Sequence, residues 1–192
     1  GTDITATLDG SDVSFSAPTD FNGSETFTIT VSDSELTDSQ SMTVTILPVN
    51  DAPVAIADLS GVTNEDQSVV VTLSGSDIDG DNLTFSLAND ASNGSVSIVG
   101  SIATYAPSSN YNGDDSFTFT VSDGFLSSTA VVTLIIDAVN DTPILSVISD
   151  VSFDEDTSGS ISVSGSDIDG DSLTYSITEG TDIIASLDGT DI

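Results

Sequence analysis

The sequence predicts an all-β protein made of tandem β-sandwich repeats. Apolar and polar residues alternate in short runs such as Val69–Leu73, Leu83–Leu87 and Phe117–Val121, and a period of two residues is typical of strands with one buried face. Asp-Gly and Asn-Gly pairs, which favour tight turns, separate these runs. Seven short strands in roughly 90 residues, without a helical stretch, indicate a sandwich of two sheets.

The remaining strands of this unit follow from the same pattern. An opening strand is predicted near Val54–Leu59, and later strands at Ser95–Ile98, Ile102–Ala106 and Val132–Ile136. A unit of this size has a small core, and the chain has no cysteine to cross-link it. We therefore expect its stability to depend partly on something other than core packing.

Two motifs occur twice at a constant spacing. The sequence SGSDIDGD at 74–81 returns at 164–171, and VNDAP at 49–53 returns as VNDTP at 139–143, an offset of 90 residues in both cases. A fixed offset shared by several motifs is the signature of a repeat array. The sequence therefore predicts repeats of about 90 residues.

The offset divides the chain into three parts. Residues 1–52 are predicted to be the C-terminal part of one repeat, 53–142 a complete repeat, and 143–192 the N-terminal part of the next. Residues 1–13 also resemble residues 180–192. This is the resemblance expected if the chain covers slightly more than two repeats of an array, so that its two ends contain the same part of the repeat. We expect the remaining halves of the first and third repeats to lie in the flanking sequence of a longer array. In a free chain, the front half of one copy would complete the back half of another and give head-to-tail filaments.

The charge of the chain excludes several classes of partner. There are 32 Asp and Glu residues and no Lys, Arg or His, so the formal net charge is −32. Nucleic acids and anionic lipids are bound through basic residues, so neither is expected to bind. No apolar run approaches the ~20 residues of a membrane-spanning helix, and we expect no membrane insertion.

The acidic residues are clustered in a way that predicts a metal site. Asp77, Asp79 and Asp81 lie within five residues, and the triplet recurs as Asp167, Asp169 and Asp171. Two carboxylates ~4 Å apart repel by ~4 kcal/mol at an effective dielectric constant near 20, and no internal cation offsets this. Ligands that are all hard oxygen atoms favour Ca²⁺ over zinc or copper. The alternative is a pair of acidic turns that bind nothing and keep the surface soluble.

Several segments resemble cadherin repeats. SDIDGDNLTFSL and SDIDGDSLTYSI resemble the Asp-x-Asp segment that precedes an aromatic-bearing cadherin strand, and LPVNDAPV and DAVNDTPI resemble the cadherin linker. VSD at 31–33 and 121–123 resembles the acidic end of a cadherin strand. The closer resemblance is to bacterial cadherin-like repeats of large secreted adhesins of the RTX and VCBS type. It implies a tandem array of seven-stranded Greek-key, cadherin/Ig-like sandwiches.

The same resemblance implies a set of calcium ligands, because cadherins bind the cation between neighbouring domains. For the first junction it implies Asn50, Asp51, Asp77, Asp79 and Asp123, and for the second Glu65, Asn140, Asp141, Asp167 and Asp169. Asp81 and Asp171 complete the acidic triplets, and Glu155 would serve a third junction. The chain lacks the LDRE motif of cadherins, and Glu25 or Asp115 is a candidate substitute. One or two ions are therefore expected per junction.

Catalysis is not expected, because the chain has no His, Cys or Lys to act as a base or nucleophile. The leading interpretation is a calcium-rigidified extender segment of a long secreted or cell-surface adhesin, filament or matrix protein. Its partners would be calcium ions and other copies or repeats of the same protein. The alternative is a carbohydrate-binding module of a secreted polysaccharide-degrading system, with a cell-surface or matrix polysaccharide as partner. Phe125 and Phe153, which have no aromatic counterpart in the other repeat, are its only candidate contacts, and packing at a loop or edge is the simpler role for both.

Overall fold

Regular structure in the described residues consists of β-strands. The computed structural model describes residues 3–178, 180 and 184–187, so part of the 180–192 segment compared with residues 1–13 lies outside the described residues. The strands are β1 Thr5–Asp9, β2 Asp12–Ser16, β3 Gly23–Ser32, β4 Thr37–Ile46, β5 Val54–Ala55, β6 Leu59–Asn64, β7 Val69–Thr72, β8 Gly75–Ser76, β9 Thr84–Asn89, β10 Gly94–Val99, β11 Ile102–Pro107, β12 Gly113–Ser122, β13 Ser127–Asp137, β14 Ile144–Leu145 and β15 Gly165–Ser166. Across this described part, no helix has the length and apolarity needed to cross a membrane.

The middle of the chain forms the predicted β-sandwich. One sheet has the strand order β6-β13-β12-β9 and the other has the order β10-β11-β7, while β5 pairs with β8. All neighbouring strands are antiparallel except β6 and β13, which run parallel. Since β6 lies near the start of this unit and β13 lies at its end, the parallel pair joins the two ends of the unit in one sheet. The all-β sandwich class predicted from the sequence is confirmed.

The predicted opening strand differs from the observed one. Instead of one strand at 54–59, the chain forms β5, which pairs with β8, and then β6, which pairs with β13. Asp58 separates the two strands and has a φ of +61°, a left-handed conformation that interrupts an extended strand. The residues between the strands therefore let the chain leave β8 and pair with β13.

The core lies between the two sheets of the middle unit. Alternate residues of β12 and β13 point inward and are almost completely buried: Phe117, Phe119, Val121, Val132, Leu134 and Ile136. Tyr105 on β11 and Val71 on β7 close the cluster from the other sheet. Burial of each large apolar side chain contributes ~1.5–3 kcal/mol. This cluster therefore fixes the strands whose loops carry the acidic residues.

The flanking segments have fewer strands. Before the middle unit, β1 pairs with β2 and β3 pairs with β4, each as an antiparallel hairpin. After it, β14 and β15 form a two-residue ladder, and residues 167–178 carry no strand. The hairpin turns of β3–β4 and β12–β13 are closed by the same backbone bond, from Asp33 N to Leu36 O and from Asp123 N to Leu126 O. The two repeats therefore share the backbone geometry of this turn as well as its sequence.

Candidate metal centres

The acidic triplet at 77–81 folds into a compact loop. Asp77 Oδ1 accepts hydrogen bonds from the backbone amides of Asp79 at 2.9 Å and Asp81 at 3.3 Å. Gly80, with a φ of +81°, adopts a left-handed conformation that costs glycine little. One carboxylate oxygen from each of the three Asp residues lies within 4.8 Å of the others. The loop therefore gathers three acidic groups that could hold a metal ion.

The second triplet repeats this geometry. Asp167 Oδ1 accepts from the amides of Asp169 at 3.0 Å and Asp171 at 3.3 Å, and Gly170 has a φ of +77°. The carboxylate of the first Asp thus orders its own loop through one oxygen. Its second oxygen is left for another partner.

The linker before the middle unit is attached to the first acidic loop. The amide of Asp51 donates to Asp79 Oδ2 at 2.8 Å, and Asn50 Nδ2 donates to Asp123 Oδ2 at 2.8 Å. The structure therefore brings together the five residues expected at the first junction: Asn50, Asp51, Asp77, Asp79 and Asp123. Their role as metal ligands remains a prediction.

The pKa values of Asp51 and Asp123 in this first cluster are shifted in opposite directions. Desolvation raises the pKa of Asp51 above its ordinary value of 3.8, and the nearby charges of Asp20, Asp79 and Asp77 raise it further. The pKa of Asp123 is lowered, first by the Asn50 side-chain donor and then by the Phe125 amide. Asp51 thus lies in a field that opposes its negative charge, and a cation would relieve that field.

The linker after the middle unit is held in the same way. The Asp141 amide donates to Asp169 Oδ2 at 2.7 Å, and the Asn140 side chain donates to the Asp141 carbonyl at 2.8 Å. Glu65 Oε1 accepts from the Val139 amide at 2.6 Å. Glu65 at the start of the middle unit thus lies beside the linker that ends it, as expected for the second junction.

The pKa of Asp141 is raised, as is that of Asp51. Desolvation is the largest cause, followed by the charges of Asp169, Asp66, Glu65 and Asp167. These groups come from the middle unit and from the following segment. The field at Asp141 therefore arises from parts of the chain on both sides of the linker.

Three carboxylate oxygens in these clusters are buried without a hydrogen-bond donor. They are Glu65 Oε2, Asp77 Oδ2 and Asp141 Oδ2. Glu65 is only 3% exposed, and a buried carboxylate without a partner costs several kcal/mol. Because the sequence has no Lys, Arg or His, its side chains offer no cationic partner. The donor set of carboxylate and amide oxygens fits a hard divalent cation such as Ca²⁺.

The other predicted ligands occupy more open positions. Asp81 and Asp171 are exposed at the ends of their loops, and Glu155 is exposed in a turn of the third segment. Asp115, one candidate for the missing motif, accepts from the Ser92 and Asn93 amides and from the Tyr105 hydroxyl. Its contacts thus anchor a loop within the middle unit.

Two acidic residues near the linkers were not predicted as ligands. Asp20 raises the pKa of Asp51, and Asp66 raises that of Asp141. Asp66 also accepts from the Asn110 amide at 3.1 Å, and Asn110 is the counterpart of Asp20 at the repeat offset. Both Asp residues have a left-handed φ, +61° for Asp20 and +58° for Asp66. The sequence indicated Asp66 only through its position next to Glu65, which was predicted as a ligand.

Phe125 does not pack at a loop or edge, contrary to the sequence-based expectation. It lies at the tip of the β12–β13 hairpin and is 86% exposed. The turn is held by Asp123 Oδ1, which accepts from the Phe125 and Leu126 amides, so the ring itself is not needed to close it. Phe153 is 46% exposed and lies against Gly159.

Comparison with known proteins agrees with this architecture. Residues 50–135 match the family described as bacterial Ig domain. The EC1-2 segment of human protocadherin-24 superimposes with a TM-score of 0.51 at 21% identity, over 73% of this chain and 78% of that structure. Cadherin domains 1–4 of protocadherin gamma B7 give a TM-score of 0.50 at 16% identity, over 80% of this chain and 44% of theirs. The chain has an Ig/cadherin-like fold.

A longer enzyme contains a related segment. Chitinase A of Pseudoalteromonas piscicida is 34% identical over 118 residues, which is 57% of this chain and 14% of the chitinase. The chain thus spans a small part of the length of this relative.

Proposed function

We propose that this chain is a calcium-rigidified extender segment of a long extracellular protein, of the RTX- or VCBS-type adhesin kind. Its working unit is the repeat at 53–142, flanked by parts of neighbouring repeats at 1–52 and 143–192. The role is mechanical: the cation holds successive repeats in one orientation.

The observation that carries the proposal is the set of buried carboxylate oxygens without donors, Glu65 Oε2, Asp77 Oδ2 and Asp141 Oδ2. All three lie in the clusters where a linker meets an acidic loop. A site that served only to position the linker would be better built with neutral hydrogen-bond acceptors, since unpaired buried charge is costly. A cation bound at each cluster would remove this cost and neutralise the repulsion at Asp51 and Asp141.

The residues themselves provide the coupling between repeats. The Asp51 and Asp141 amides bind the Asp79 and Asp169 carboxylates, and this ties each linker to the repeat that follows it. Glu65 ties the second linker to the repeat that precedes it. When bound, calcium supplies positive charge that lets these carboxylates approach each other, so the linker loses freedom to bend.

The chemistry of such a site fits an extracellular location. Extracellular modules bind calcium with dissociation constants of about 10⁻⁴–10⁻³ M. At those affinities the clusters would fill outside the cell and stay empty in a calcium-poor cytosol. The chain would then be flexible during export and stiffen afterwards.

Calcium titration of a charge-matched pair of variants tests the proposal. Asp77→Asn/Asp79→Asn keeps the side-chain shape at the first cluster, whereas Asp9→Asn/Asp12→Asn removes the same charge from an exposed hairpin. We expect isothermal titration to give fewer bound ions for the first variant and the unmodified stoichiometry for the control. Equal stoichiometry in both variants would show that the cluster binds no calcium.

A second candidate function is binding to chitin or a related polysaccharide. It is supported by the similarity to part of a chitinase and by the exposed ring of Phe125, since aromatic rings stack on sugars. In a chitin pull-down, this function predicts retention of the chain and its loss in Phe125→Ala, with Leu126→Ala, an exposed aliphatic side chain in the same turn, as the matched control. A chain that does not bind chitin, or a Phe125→Ala variant that binds equally well, would count against it.

A further inference from the structure

Strand β10 combines an uncharged sequence with an edge position. It covers Gly94–Val99 and lies at the end of the sheet ordered β10-β11-β7. The longest stretch of the chain without a charged residue runs from 91 to 113 and contains the whole strand. Valine and isoleucine alternate with serine along it, and an edge strand with this pattern and without charge or proline is a template for pairing with another chain. Such an edge needs a device that keeps other strands away.

Two nearby edges of the middle repeat carry protection that β10 lacks. Strand β7 has only four residues, Val69–Thr72, and the pairing of β9 with β12 shifts register between Thr118 and Phe119. Short strands and bulges both discourage the addition of a further strand. Strand β10 has six residues, and all six pair with β11 in an unbroken register. Its edge is therefore regular and long enough to accept another strand.

The Asp90 carboxylate lies on the outer side of β10. Its Oδ1 atom accepts hydrogen bonds from the Val96 amide at 2.9 Å and from the Ala91 amide at 2.9 Å. Asp90 belongs to the loop between β9 and β10, so the Val96 amide points out of the β10–β11 ladder. Amides two residues apart in a strand point to the same side, which places the Ile98 amide on this outer side as well. Asp90 thus occupies one of the two amide donors in the middle of the edge.

Asp90 is not one of the acidic residues of the linker clusters. It directly precedes the uncharged stretch, the position in which a charged residue protects an aggregation-prone strand. The alternative role is to order the loop, since the Ala91 and Val96 amides bond to the same oxygen. The two roles differ in one respect. Loss of a loop contact lowers stability, whereas loss of an edge cover also lets copies of the chain associate.

We propose that Asp90 closes the β10 edge against pairing with β10 of a second copy. In the pairing that it prevents, the two strands run antiparallel with Ser97 of one copy opposite Ser97 of the other. Each Val96 amide would then donate to the Ile98 carbonyl of the other copy, and each Ile98 amide to the Val96 carbonyl. The Asp90 hydrogen bond removes the Val96 amide from this ladder in both copies. The inference goes beyond the extender function and does not depend on calcium.

A second copy is the occupant that the charge of the chain favours at this edge. With a net charge of −32 and no Lys, Arg or His, two copies repel each other wherever their acidic residues meet. The stretch 91–113 brings no charge to the contact, so the β10 edges are where two copies can meet with least repulsion. Because the same edge serves both copies, the pair is two-fold symmetric and closes at two chains.

The masses of two variants in solution test the edge cover. Asp90→Ala removes the acceptor, whereas Asp90→Asn removes the charge and keeps an oxygen that can accept from the Val96 amide. In chelator at ~0.15 M salt, which screens charges beyond about 8 Å, we expect the alanine variant to reach twice the mass of the unmodified chain as its concentration rises. The asparagine variant should keep the unmodified mass. An alanine variant with the unmodified mass at all concentrations, or an asparagine variant that pairs equally well, would overturn the proposal.

A charge placed on β10 tests whether the association uses this edge. In the Asp90→Ala chain, Ser97→Asp would set two like charges directly opposite each other and should restore the unmodified mass. Thr129→Asp adds the same charge at an exposed position of β13 in the opposite sheet and should leave the pairing intact. Equal effects of the two substitutions would show that the copies do not pair through β10.

Hydrogen exchange of the unmodified chain tests the cover without any substitution, and so applies even if circular dichroism shows that Asp90→Ala does not fold. The Val96 and Ile98 amides both point outward, but only Val96 donates to Asp90. We expect the Val96 amide to exchange at least tenfold more slowly than the Ile98 amide. Equal protection of the two amides would contradict the cover. These measurements are made in chelator, so their failure would leave the calcium titration of the extender function unaffected.

Discussion

The Glu65 carboxylate accepts a hydrogen bond from the Val139 amide, 74 residues away in sequence, at a distance of 2.6 Å. The contact joins the first turn of the middle repeat to the linker that leaves it. Only one oxygen of Glu65 is used, and the other is buried without a donor. Glu65 therefore has two roles: it holds the linker through the Val139 amide, and its charge raises the pKa of Asp141 in the second cluster.

Replacing Glu65 by Gln should separate these two roles. The amide oxygen can still accept from Val139, but the charge near Asp141 is removed. In chelator, we expect the melting temperature to stay the same or rise. With calcium, a roughly tenfold loss of affinity would reduce the calcium-induced stabilisation by about 1.4 kcal/mol. Calorimetry with and without calcium measures both effects.

The control for Glu65→Gln is Asp150→Asn, which makes the same charge change at an exposed position of the third segment. It should leave the calcium-induced stabilisation as it is in the unmodified chain. If Glu65→Gln gains as much stability from calcium as the control does, Glu65 is not part of a calcium site.

Stability in chelator should rise as the pH falls from neutral. The pKa values of Asp51 and Asp141 are raised in the folded chain, so these groups favour the folded state when protonated and lose that contribution as pH rises through their folded pKa values. The pKa values of Asp115 and Asp123 are lowered, so their contribution is present above the ordinary value of 3.8 and lost below the folded pKa. The melting temperature should thus peak at mildly acidic pH.

The variant Asp51→Asn/Asp141→Asn should make that pH profile flatter between its peak and neutral pH, where the raised pKa values of the two linker carboxyl groups act. A matched pair at exposed sites, Asp9→Asn/Asp12→Asn, should keep the shape of the unmodified profile. Identical profiles for both pairs would show that the linker carboxylates do not have the raised pKa values on which this prediction depends.

Phe119→Ala should lower the free energy of unfolding of the middle repeat more than a substitution at the tip of the β12–β13 hairpin does. Phe119 is fully buried in the core, and removing a buried Phe ring typically costs ~3–5 kcal/mol. Phe125→Ala, at an exposed position, should change the free energy of unfolding by less than about 0.5 kcal/mol. Urea titration followed by tyrosine fluorescence measures both, and similar losses in the two variants would contradict the described core.

Gly94→Ala should destabilise the β10–β11 hairpin. A Cβ at this position would lie 2.4 Å from a ring carbon of Tyr105 and 2.5 Å from the Ala106 carbonyl oxygen. Backbone and a buried ring must then both shift, at a cost of roughly 1–3 kcal/mol. Ser95→Ala, at the exposed neighbouring position, is the control, and equal unfolding free energies for the two variants would show that Tyr105 does not pack against Gly94.

The strands were predictable because their signal is local. Alternation at Phe117–Val121 specifies a buried face without reference to any other segment, and β12 contains that run. The split between β5 and β6 was not predictable, because it depends on which strand each piece pairs with and on a left-handed φ at Asp58. Pairing partners far apart in sequence are set by the sandwich as a whole.

The acidic clusters were partly predictable for the same reason. The repeat of the Asp77 loop and the linker could be read directly, and the structure places Asn50 and Asp51 at that loop. Asp20 and Asp66 were missed, since their distance from the linkers is set by the packing of loops from different strands. Asp20 has no residue pattern that indicates a ligand, and the only signal for Asp66 was its position next to Glu65.

Small-angle scattering of the chain, with and without calcium, tests the extender function most directly. If calcium fills the clusters at Asp51 and Asp141, the maximum dimension should increase, the spread of conformations should narrow, and the melting temperature should rise. The Asp77→Asn/Asp79→Asn change should remove the stiffening at the first linker and keep it at the second. An unchanged scattering profile and melting temperature after calcium addition would contradict a calcium-stiffened extender.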